Sequence, residues 1–340
     1  MEPVVAVIGA TGAVGDVFLR VAEQREFPMK QLKLLASPRS VGKQLTFRGQ
    51  QITVQDTTEA TLDGADIVFC SASSAVSKQW GPWLRARNAV MIDDGSAYRM
   101  DADVPLVIPE VNGDDLEWHK GIVSIPNCTT TPLAMALNAM RQVAPLKRVT
   151  AASYQAVTGT GAAAAAELQA QLEAIGRGEP VPPPTVYPVQ IAGNVLPQVD
   201  DFDEDDYTKE ELKMRNETRK ILHLDDLPFA ATCVRVPVML CHSEAVHVEF
   251  TSAAPVARIV DALRSQAGVV VSEDRTYVTP LQAAGDDLVY VSRVRVDPTV
   301  EHGIVFWLVT DNLRKGAATN AIQIAEEMLR RGLVPGVSKP

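Results

Sequence analysis

Short apolar segments alternate with helical patterns over the first 125 residues. Residues 4–8 form a continuous apolar run, which is typical of a strand buried on both faces of a parallel sheet. Similar runs recur at residues 32–36, 67–70, 90–93 and 122–125. A glycine-rich turn follows the first run, and the apolar positions after it indicate a helix through residues 17–22. This alternation predicts a doubly wound, Rossmann-like α/β domain.

The pattern changes after Cys128. Residues 129–132 are threonines followed by a proline, which predict the start of a helix through residues 133–140 with hydroxyls available to cap it. Longer strands are predicted at residues 149–156, 246–250, 288–296 and 304–310, and helices at residues 162–172 and 316–330. Polar and apolar positions alternate in residues 245–250, which indicates a sheet with one polar face. The second half therefore reads as a mixed α/β domain.

Length and composition fit two globular domains that divide near Cys128. The chain has 340 residues, of which 46% are hydrophobic and 22% charged, and about 150 residues is a usual domain length. This mixture excludes a disordered, collagen-like or coiled-coil protein. The proline-rich residues 176–188 and the acidic residues 200–206 are predicted to be surface loops.

The charge, the length of the apolar runs and the cysteines indicate which ligands and which cellular compartment to expect. Lysine and arginine total 32 against 42 acidic residues, and a net charge of −10 disfavours nucleic acid while still permitting a local pocket for a small anion. Apolar stretches end well before 18 residues and the N-terminus lacks a basic targeting segment, so no membrane association is expected. The 4 cysteines form no CxxC pair, which favours a reduced, cytoplasmic protein. Neighbouring side chains at Cys241 and His242 face opposite ways in an extended segment, so no metal site is expected.

The turn after the first strand has the spacing GxxGxxG. Glycines at this position permit a tight turn and let a pyrophosphate approach the backbone at the start of a helix. An ordinary strand-to-helix turn is the alternative. The candidate cofactor residues of this turn are Gly9, Thr11, Gly12, Ala13, Val14 and Gly15.

The second strand ends without the acidic residue that commonly binds the ribose hydroxyls of NAD. It ends instead in Ser37, Arg39 and Ser40 around a proline. A guanidinium flanked by hydroxyls suits a 2′-phosphate, which favours NADP over NAD. The alternative is a solvated loop arginine.

Cys128 stands at the start of the helix that opens the second half. The helix dipole favours a thiolate there, which is one way a nucleophilic cysteine is activated. The alternative is a small buried hydrophobic residue, the interpretation that we prefer for Cys70 and Cys233.

Several motifs occur in the order in which one enzyme family carries them. They are residues 9–15, 95–99 (Gly-Ser-Ala-Tyr-Arg), 127–130 (Asn-Cys-Thr-Thr), 210–213 (Glu-Glu-Leu-Lys), 235–237 with 242–244, and 311–317 (Asp-Asn-Leu-Arg-Lys-Gly-Ala). Across nearly the whole chain this pattern resembles the aspartate-β-semialdehyde dehydrogenase family. The resemblance implies NADPH-dependent reduction of β-aspartyl phosphate to L-aspartate-4-semialdehyde with release of phosphate. That reaction belongs to lysine, diaminopimelate, methionine and threonine biosynthesis.

The resemblance also implies catalytic roles. Cys128 matches the nucleophile that displaces phosphate and forms a thioester. His242 matches the general acid/base that handles the hemithioacetal proton, a task suited to a group that titrates near neutrality. Without its spacing from Arg235, His242 could equally be a buried structural histidine. Gln155 matches a residue that orients the acyl intermediate.

Substrate groups have matching partners in the same motifs. Arg235 can bind the α-carboxylate through its planar guanidinium, and Glu210 can bind the α-ammonium group. Arg99 and Lys213 supply positive charge for the phosphate, and Asn127 matches a phosphate-contacting position. Glu210 and Lys213 lie three residues apart, so they share a helix face, and an exposed ion pair is the alternative.

The family's architecture completes the implied picture. Residues 1–127 and 312–340 would form the NADP-binding domain, and residues 128–311 the substrate and dimerisation domain. Thr158, Gly159 and Asn312 would add cofactor contacts, with Thr158 standing where the family usually has serine. The family is dimeric or tetrameric through the large sheet of its second domain.

Other functions remain open at the level of sequence. An N-acyl-glutamyl-phosphate reductase shares the thiol–imidazole chemistry, but its substrate has a blocked amine for which Glu210 has no use. A glyceraldehyde-phosphate dehydrogenase has no role for the 210–213 and 235–242 segments. A catalytically silent NADP-binding protein would not need Cys128, Gln155 and His242.

Overall fold

Two parts of the chain each fold around a sheet of their own. The computed structural model describes residues 2–203, 205–273 and 275–338. The first unit comprises the chain up to Asn127 together with the segment from Ala317 onward, and the second comprises Cys128–Gly316. The sequence predicts the return to the first unit at Asn312. The structure has it later because Asn312 is hydrogen-bonded to Cys241, within the second unit.

The described residues form strands and helices throughout both units. The strands are β1 Val4–Ile8, β2 Gln31–Ala36, β3 Gln44–Phe47, β4 Gln50–Thr53, β5 Gln55–Asp56, β6 Ile67–Cys70, β7 Val90–Asp93, β8 Ile122–Ser124, β9 Leu146–Gln155, β10 Phe229–Arg235, β11 His242–Phe250, β12 Val269–Val271, β13 Val289–Asp297 and β14 Gly303–Thr310. The α-helices are α1 Ala13–Gln24, α2 Glu59–Leu62, α3 Ser74–Arg85, α4 Pro109–Asn112, α5 Thr130–Met140, α6 Ala162–Arg177, α7 Lys209–Leu222, α8 Val256–Ser265, α9 Pro280–Ala283 and α10 Thr319–Arg331. None of the helices among these residues is long and apolar enough to cross a membrane.

The first unit contains the predicted parallel sheet. Its strand order is β5-β2-β1-β6-β7-β8, and all of its strand pairs are parallel. The apolar runs are buried, as strands covered on both faces must be. Helix α10 packs against α1, α4 and β7, so the predicted C-terminal helix belongs to this unit.

The glycine turn lies where the strand order reverses. β1 has β2 on one side and β6 on the other, and the chain leaves β1 toward α1 at this point. In doubly wound sheets the crevice at the carboxyl ends of such strands is the usual ligand site. The topology therefore places residues 9–15 at the position that a dinucleotide uses.

The second unit contains a mixed sheet with the order β10-β9-β11-β14-β13-β12. Helix α7 packs against β10, and α5 packs against α7 and β14, so these helices cover one face. The other face carries more exposed residues, among them Tyr154, whose ring lies 5.4 Å from that of Trp307. The predicted sheet with one polar face is confirmed by the alternating burial of residues 245–250.

Glu211 fixes α7 to the edge strand β10. One of its carboxylate oxygens accepts the Cys233 N–H at 2.9 Å, and the other accepts the Thr208 N–H at 2.7 Å. Thr208 in turn caps α7 by accepting the Glu211 N–H, which completes a capping box. A buried carboxylate thus satisfies an edge-strand donor and the start of a helix at once.

Some local expectations were wrong. α5 begins at Thr130 as predicted, but Thr129 adopts helical backbone angles and its hydroxyl does not cap the helix. The final α-helix begins at Thr319 because a π-helical turn, Arg314–Ala318, precedes it. α6 continues to Arg177, so the proline-rich loop begins later than residue 176. The acidic run is largely exposed loop, and its residue Glu204 lies outside the described residues.

Candidate active site

Three neighbouring strands of the second unit bring polar side chains to one end of the sheet. Arg235 on β10 pairs with Gln155 on β9, and Cys233 pairs with Ser153. On the other side of β9, Glu244 of β11 pairs with Ser153. His242 lies two residues before Glu244 on β11, level with Gln155 and on the same face. Two rows result: Arg235, Gln155 and His242 at the end of the sheet, then Cys233, Ser153 and Glu244.

Gln155 is held by two acceptors. Its Nε2 donates to Ser153 Oγ and to Glu210 Oε1, at 3.2 Å in each case. The side chain is 1% exposed. With both Nε2 donors engaged, the amide plane is fixed relative to Glu210.

His242 is buried and its ring orientation is fixed by the backbone. Its Nδ1 accepts the Ala156 N–H at 3.0 Å. An Nδ1 that accepts cannot carry a proton, so the neutral ring has its proton on Nε2. Burial lowers the pKa of His242 well below its ordinary value, and the positive charge of Arg235 lowers it further. At neutral pH the ring is therefore a neutral hydrogen-bond donor.

Two donors at this end of the sheet have no protein acceptor among the described residues. They are His242 Nε2 and Arg235 Nε, both buried. Arg235 is fixed by its Nη1, which donates to the Ala156 carbonyl at 2.7 Å. Buried donors of this kind suit an oxygen-rich ligand, because leaving them unmatched costs free energy.

Gly159 leaves room for both side chains. A Cβ at this position would lie 3.1 Å from Arg235 Nη1 and 3.1 Å from His242 Nε2. Any larger residue would crowd the two donors. The glycine is therefore required for the site's shape, in addition to any contact that it makes with a cofactor.

Cys128 is half-buried and lies two residues before the start of α5. Its packing depends on Gly316, where a Cβ would come within 2.9 Å of Cys128 Cβ. Gly316 follows β14, whose last residue, Thr310, pairs with His242. The thiol therefore lies at a helix N-terminus, against the segment that leaves the strand next to His242.

Glu210 and Lys213 on α7 form an ion pair that is shielded from solvent, and Lys213 also pairs with Asp200. Lys213 Nζ lies 3.2 Å from Glu210 Oε2 and 2.7 Å from Asp200 Oδ2. The side chains of Glu210 and Lys213 are only 7% and 26% exposed, so a fully solvated pair is the wrong interpretation. Burial alone would lower the pKa of Lys213, but the two carboxylates outweigh it and raise the pKa.

Glu244 is a buried acid that the sequence patterns do not reveal. It is fully buried, and both of its carboxyl oxygens lack a hydrogen-bond partner among the described residues. Burial raises its pKa well above the ordinary value, and the negative charge of Glu210 adds to the effect. Glu244 is therefore a neutral acid at neutral pH.

The glycine turn of the first unit fits a dinucleotide. Gly9 has φ +86°, and a Cβ there would lie 2.1 Å from the Ser71 carbonyl oxygen. A Cβ at Gly15 would lie 2.5 Å from the Gly9 carbonyl oxygen. The turn can close against the segment after β6 only without side chains at these positions. The first N–H groups of α1 have no partner within the helix, as at any helix start, and so can bind an anion.

The segment after β2 lies beside the glycine turn. Thr11 Oγ1 donates to Ser40 Oγ at 3.1 Å. Ser37 and Arg39 are exposed. A cation and hydroxyls next to a pyrophosphate loop are a suitable environment for a ribose phosphate.

Other predicted site residues have structural contacts of their own. Arg99 is buried in the first unit and its Nη2 donates to the Asp94 carbonyl at 2.8 Å, while Asn127 ends that unit. In the second unit, Asn312 Nδ2 donates to Thr158 Oγ1 at 3.2 Å and Asn312 Oδ1 accepts the Cys241 N–H at 3.0 Å. Their binding roles stay predictions.

A dinucleotide turn on a parallel sheet, joined to a second unit with a thiol and a neutral imidazole donor, defines a nicotinamide-dependent aldehyde dehydrogenase of the thiol type. Comparison with known proteins gives the family. The model of the semialdehyde dehydrogenase NAD binding domain matches residues 4–119, and that of the semialdehyde dehydrogenase dimerisation domain matches residues 137–315. The chain belongs to the aspartate-semialdehyde dehydrogenase family.

Relatives match over almost the full length. The aspartate-semialdehyde dehydrogenase of Aquifex aeolicus is 45% identical, with 97% of this chain and 99% of the relative covered. That of Bacillus subtilis is 44% identical, with 97% and 98% covered. The solved structure of aspartate semialdehyde dehydrogenase II from Vibrio cholerae has a TM-score of 0.95 at 40% identity, covering 97% of this chain and 99% of that one.

Replacing Glu244 by glutamine tests its protonation state. The raised pKa means that the folded protein binds this proton more tightly than the unfolded chain, so wild-type stability falls as pH rises above the unfolded value. Glu244→Gln removes that dependence. We expect the melting temperature of the variant, relative to wild type, to rise with pH above pH 5, by up to about 2 °C per pH unit.

Glu249→Gln is the matched control on the same strand. Glu249 is hydrogen-bonded to Lys147, which lowers its pKa, so it is ionised throughout pH 5–8 and the difference from wild type should be flat. Thermal melts of the three proteins at four pH values decide the question. A pH-independent difference for Glu244→Gln would show that the carboxyl group is not a buried neutral acid.

Proposed function

We propose that this chain catalyses the reversible, NADPH-dependent reductive dephosphorylation of L-4-aspartyl phosphate to L-aspartate-4-semialdehyde. The observation that carries the proposal is the row of Arg235, Gln155 and His242, in the unit that begins with Cys128. The relatives that match over nearly the whole chain carry the name of this enzyme. One solved neighbour, 40% identical, is aspartate semialdehyde dehydrogenase II of Vibrio cholerae complexed with ASA.

Cys128 acts as the nucleophile. Its thiolate attacks the acyl carbon of aspartyl phosphate, the carbon–oxygen bond to phosphate breaks, and phosphate leaves with the bonding electrons. A thioester on Cys128 results. The start of α5 favours the thiolate because the helix N-terminus carries a partial positive charge.

His242 donates from Nε2. Because Nδ1 accepts the Ala156 N–H, the proton of the neutral ring is on Nε2. The Nε2–H can therefore stabilise negative charge on the substrate oxygen. Once the thioester is reduced, the resulting oxyanion re-forms the carbonyl and expels Cys128 as the thiolate, so this collapse needs no added proton. The geometry therefore supports hydrogen-bond donation by His242, which is one part of the acid/base role implied by the family.

Substrate is oriented by the charges around this row. Arg235 binds the α-carboxylate, Glu210 binds the α-ammonium group, and Gln155 orients the acyl group through the amide that Glu210 helps to fix. Lys213 lies next to Glu210 and adds positive charge for the phosphate. Arg99 and Asn127 are proposed as further phosphate ligands on the strength of their motifs.

NADPH binds at the glycine turn of the first unit. Gly9, Gly12 and Gly15, with Thr11, Ala13 and Val14, form the pyrophosphate cradle. Ser37, Arg39 and Ser40 hold the 2′-phosphate, and Thr158, Gly159 and Asn312 are further candidate contacts on the strength of their motifs. When bound, NADPH supplies the hydride that reduces the thioester.

We place the protein in the cytoplasm, in the synthesis of lysine, diaminopimelate, methionine and threonine. The four cysteines are thiols rather than disulfides, which suits a reducing compartment. The more exposed face of the second sheet, with Tyr154 and Trp307, is the surface proposed for dimerisation, and the exposed Tyr277 lies beside it. The matching family model describes this region as a dimerisation domain.

Removing the thiol should abolish turnover. Cys128→Ala is expected to lower phosphate-dependent NADPH formation from aspartate semialdehyde by about a thousandfold or more, because no thioester can form. NADPH binding, followed by its fluorescence, should be unchanged. Cys70→Ala is the control: burial raises the pKa of that thiol to about 12, so it is no nucleophile.

The same assay separates the alternatives. Wild-type activity in Cys128→Ala would contradict the mechanism. Turnover of N-acetyl-glutamate semialdehyde without turnover of aspartate semialdehyde would support the acyl-glutamyl reductase instead. Cofactor binding without turnover of either substrate would indicate a silent NADP-binding protein.

Cofactor preference depends on Arg39. Arg39→Glu should weaken NADPH binding by about tenfold to a hundredfold, because it replaces a charge-assisted contact with repulsion. The affinity for NADH should change less than twofold. Titration of both cofactors checks this, with Arg20→Glu on the exposed face of α1 as the control. Equal losses of affinity for NADH and NADPH would show that Arg39 does not bind the 2′-phosphate.

A further inference from the structure

Cys241, the residue before His242, has a backbone conformation that side chains rarely adopt. Its φ is +72°, in the left-handed region that favours glycine. A bulky residue persists in such a conformation only when its surroundings hold it there, and such residues concentrate at functional sites. The strain at Cys241 lies one peptide bond from the proposed proton donor.

Two contacts hold Cys241. Its N–H donates to Asn312 Oδ1 at 3.0 Å. Its side chain is 1% exposed and packs in an apolar cluster with Ala283 and Val309, away from the face that carries His242. Burial raises the pKa of this thiol to about 12, so it is chemically inert and acts through packing.

Asn312 joins both chain segments that fix His242. Its Oδ1 holds Cys241 on one side, and its Nδ2 donates at 3.2 Å to Thr158 on the other. Thr158 Oγ1 donates to the Met239 carbonyl at 2.7 Å, and Thr158 lies two residues after Ala156, the donor to His242 Nδ1. Asn312 itself is 2% exposed. The Asn312 amide therefore links the segment that precedes His242 to the segment that follows Ala156. The spacing of these two segments sets the position of the imidazole ring.

We propose that Asn312 is a positioning residue for His242, which it holds in place by stabilising the left-handed backbone of Cys241. Asn312 acts through Cys241 and Thr158. The proposal deepens the proposed function and rests on it. It assigns this amide a role that is distinct from the cofactor contact which the sequence motif implies.

The test is a rescue by glycine. Asn312→Ala removes the acceptor for the Cys241 N–H, and a small displacement of a catalytic group can cost about a hundredfold. We expect kcat at saturating NADPH to fall by about tenfold to a hundredfold, a loss that weaker NADPH binding alone cannot cause. Adding Cys241→Gly should restore kcat several-fold, because glycine adopts positive φ without support.

Cys241→Ala in the same Asn312→Ala background is the matched control. It removes the same sulfur but keeps the Cβ that makes positive φ costly, so it should not restore kcat. Asn312→Asp keeps an oxygen acceptor for the Cys241 N–H and should retain more activity than Asn312→Ala. Melting temperatures of all variants identify any that fail to fold. If Asn312→Ala fails to fold, Asn312→Asp carries the test in its place.

The outcomes are distinct. Rescue of kcat at saturating NADPH by glycine but not by alanine supports the proposal. Equal behaviour of the glycine and alanine double variants contradicts it. A loss of activity that saturating NADPH restores in full would make Asn312 a cofactor ligand only and would contradict the positioning role. An inactive wild type would overturn the proposed function and, with it, the positioning role that rests on it.

Discussion

The hydrogen bond from the Ala156 N–H to His242 Nδ1 is the contact on which the rest of the site depends. Because it occupies Nδ1, the neutral ring must carry its proton on Nε2, where Gly159 leaves space for a ligand. Burial and Arg235 keep the ring neutral by lowering its pKa. One backbone contact therefore fixes the tautomer and the direction of donation, and burial with Arg235 fixes the charge.

In the sheet of the second unit, the polar residues of the candidate site and the apolar residues of the core occupy different ends of the same face. Arg235, Gln155 and His242 occupy the end row, and two residues further along the strands the row contains Glu244. Beyond these rows the same face becomes apolar, with Ala151 paired to Ala231 and to Val246. Buried polar groups cost stability unless they are satisfied. Confining them to one end leaves the remainder of the sheet free to build an ordinary core.

Local patterns were sufficient for much of the fold and for part of the site. The apolar run at Val4–Ile8 and the glycines after it predicted a strand, a turn and a helix, because those signals depend on neighbours in sequence. Glu244 and Gly316 fall inside motifs found in the sequence, but no role was predicted for either, since their environments arise only from strand pairing and from approach to Cys128. The left-handed Cys241 has no local signal either, because its support, Asn312, lies 71 residues away.

Cys128 carries the acyl group in the proposed mechanism, and mass spectrometry of the trapped enzyme tests this most directly. The protein is mixed with aspartate semialdehyde and NADP without phosphate, quenched in acid and digested. One aspartyl group should be found on the peptide that contains Cys128, with one equivalent of NADPH formed, and phosphate should discharge it. NADPH formation without an adduct, or an adduct on another residue, would contradict the mechanism.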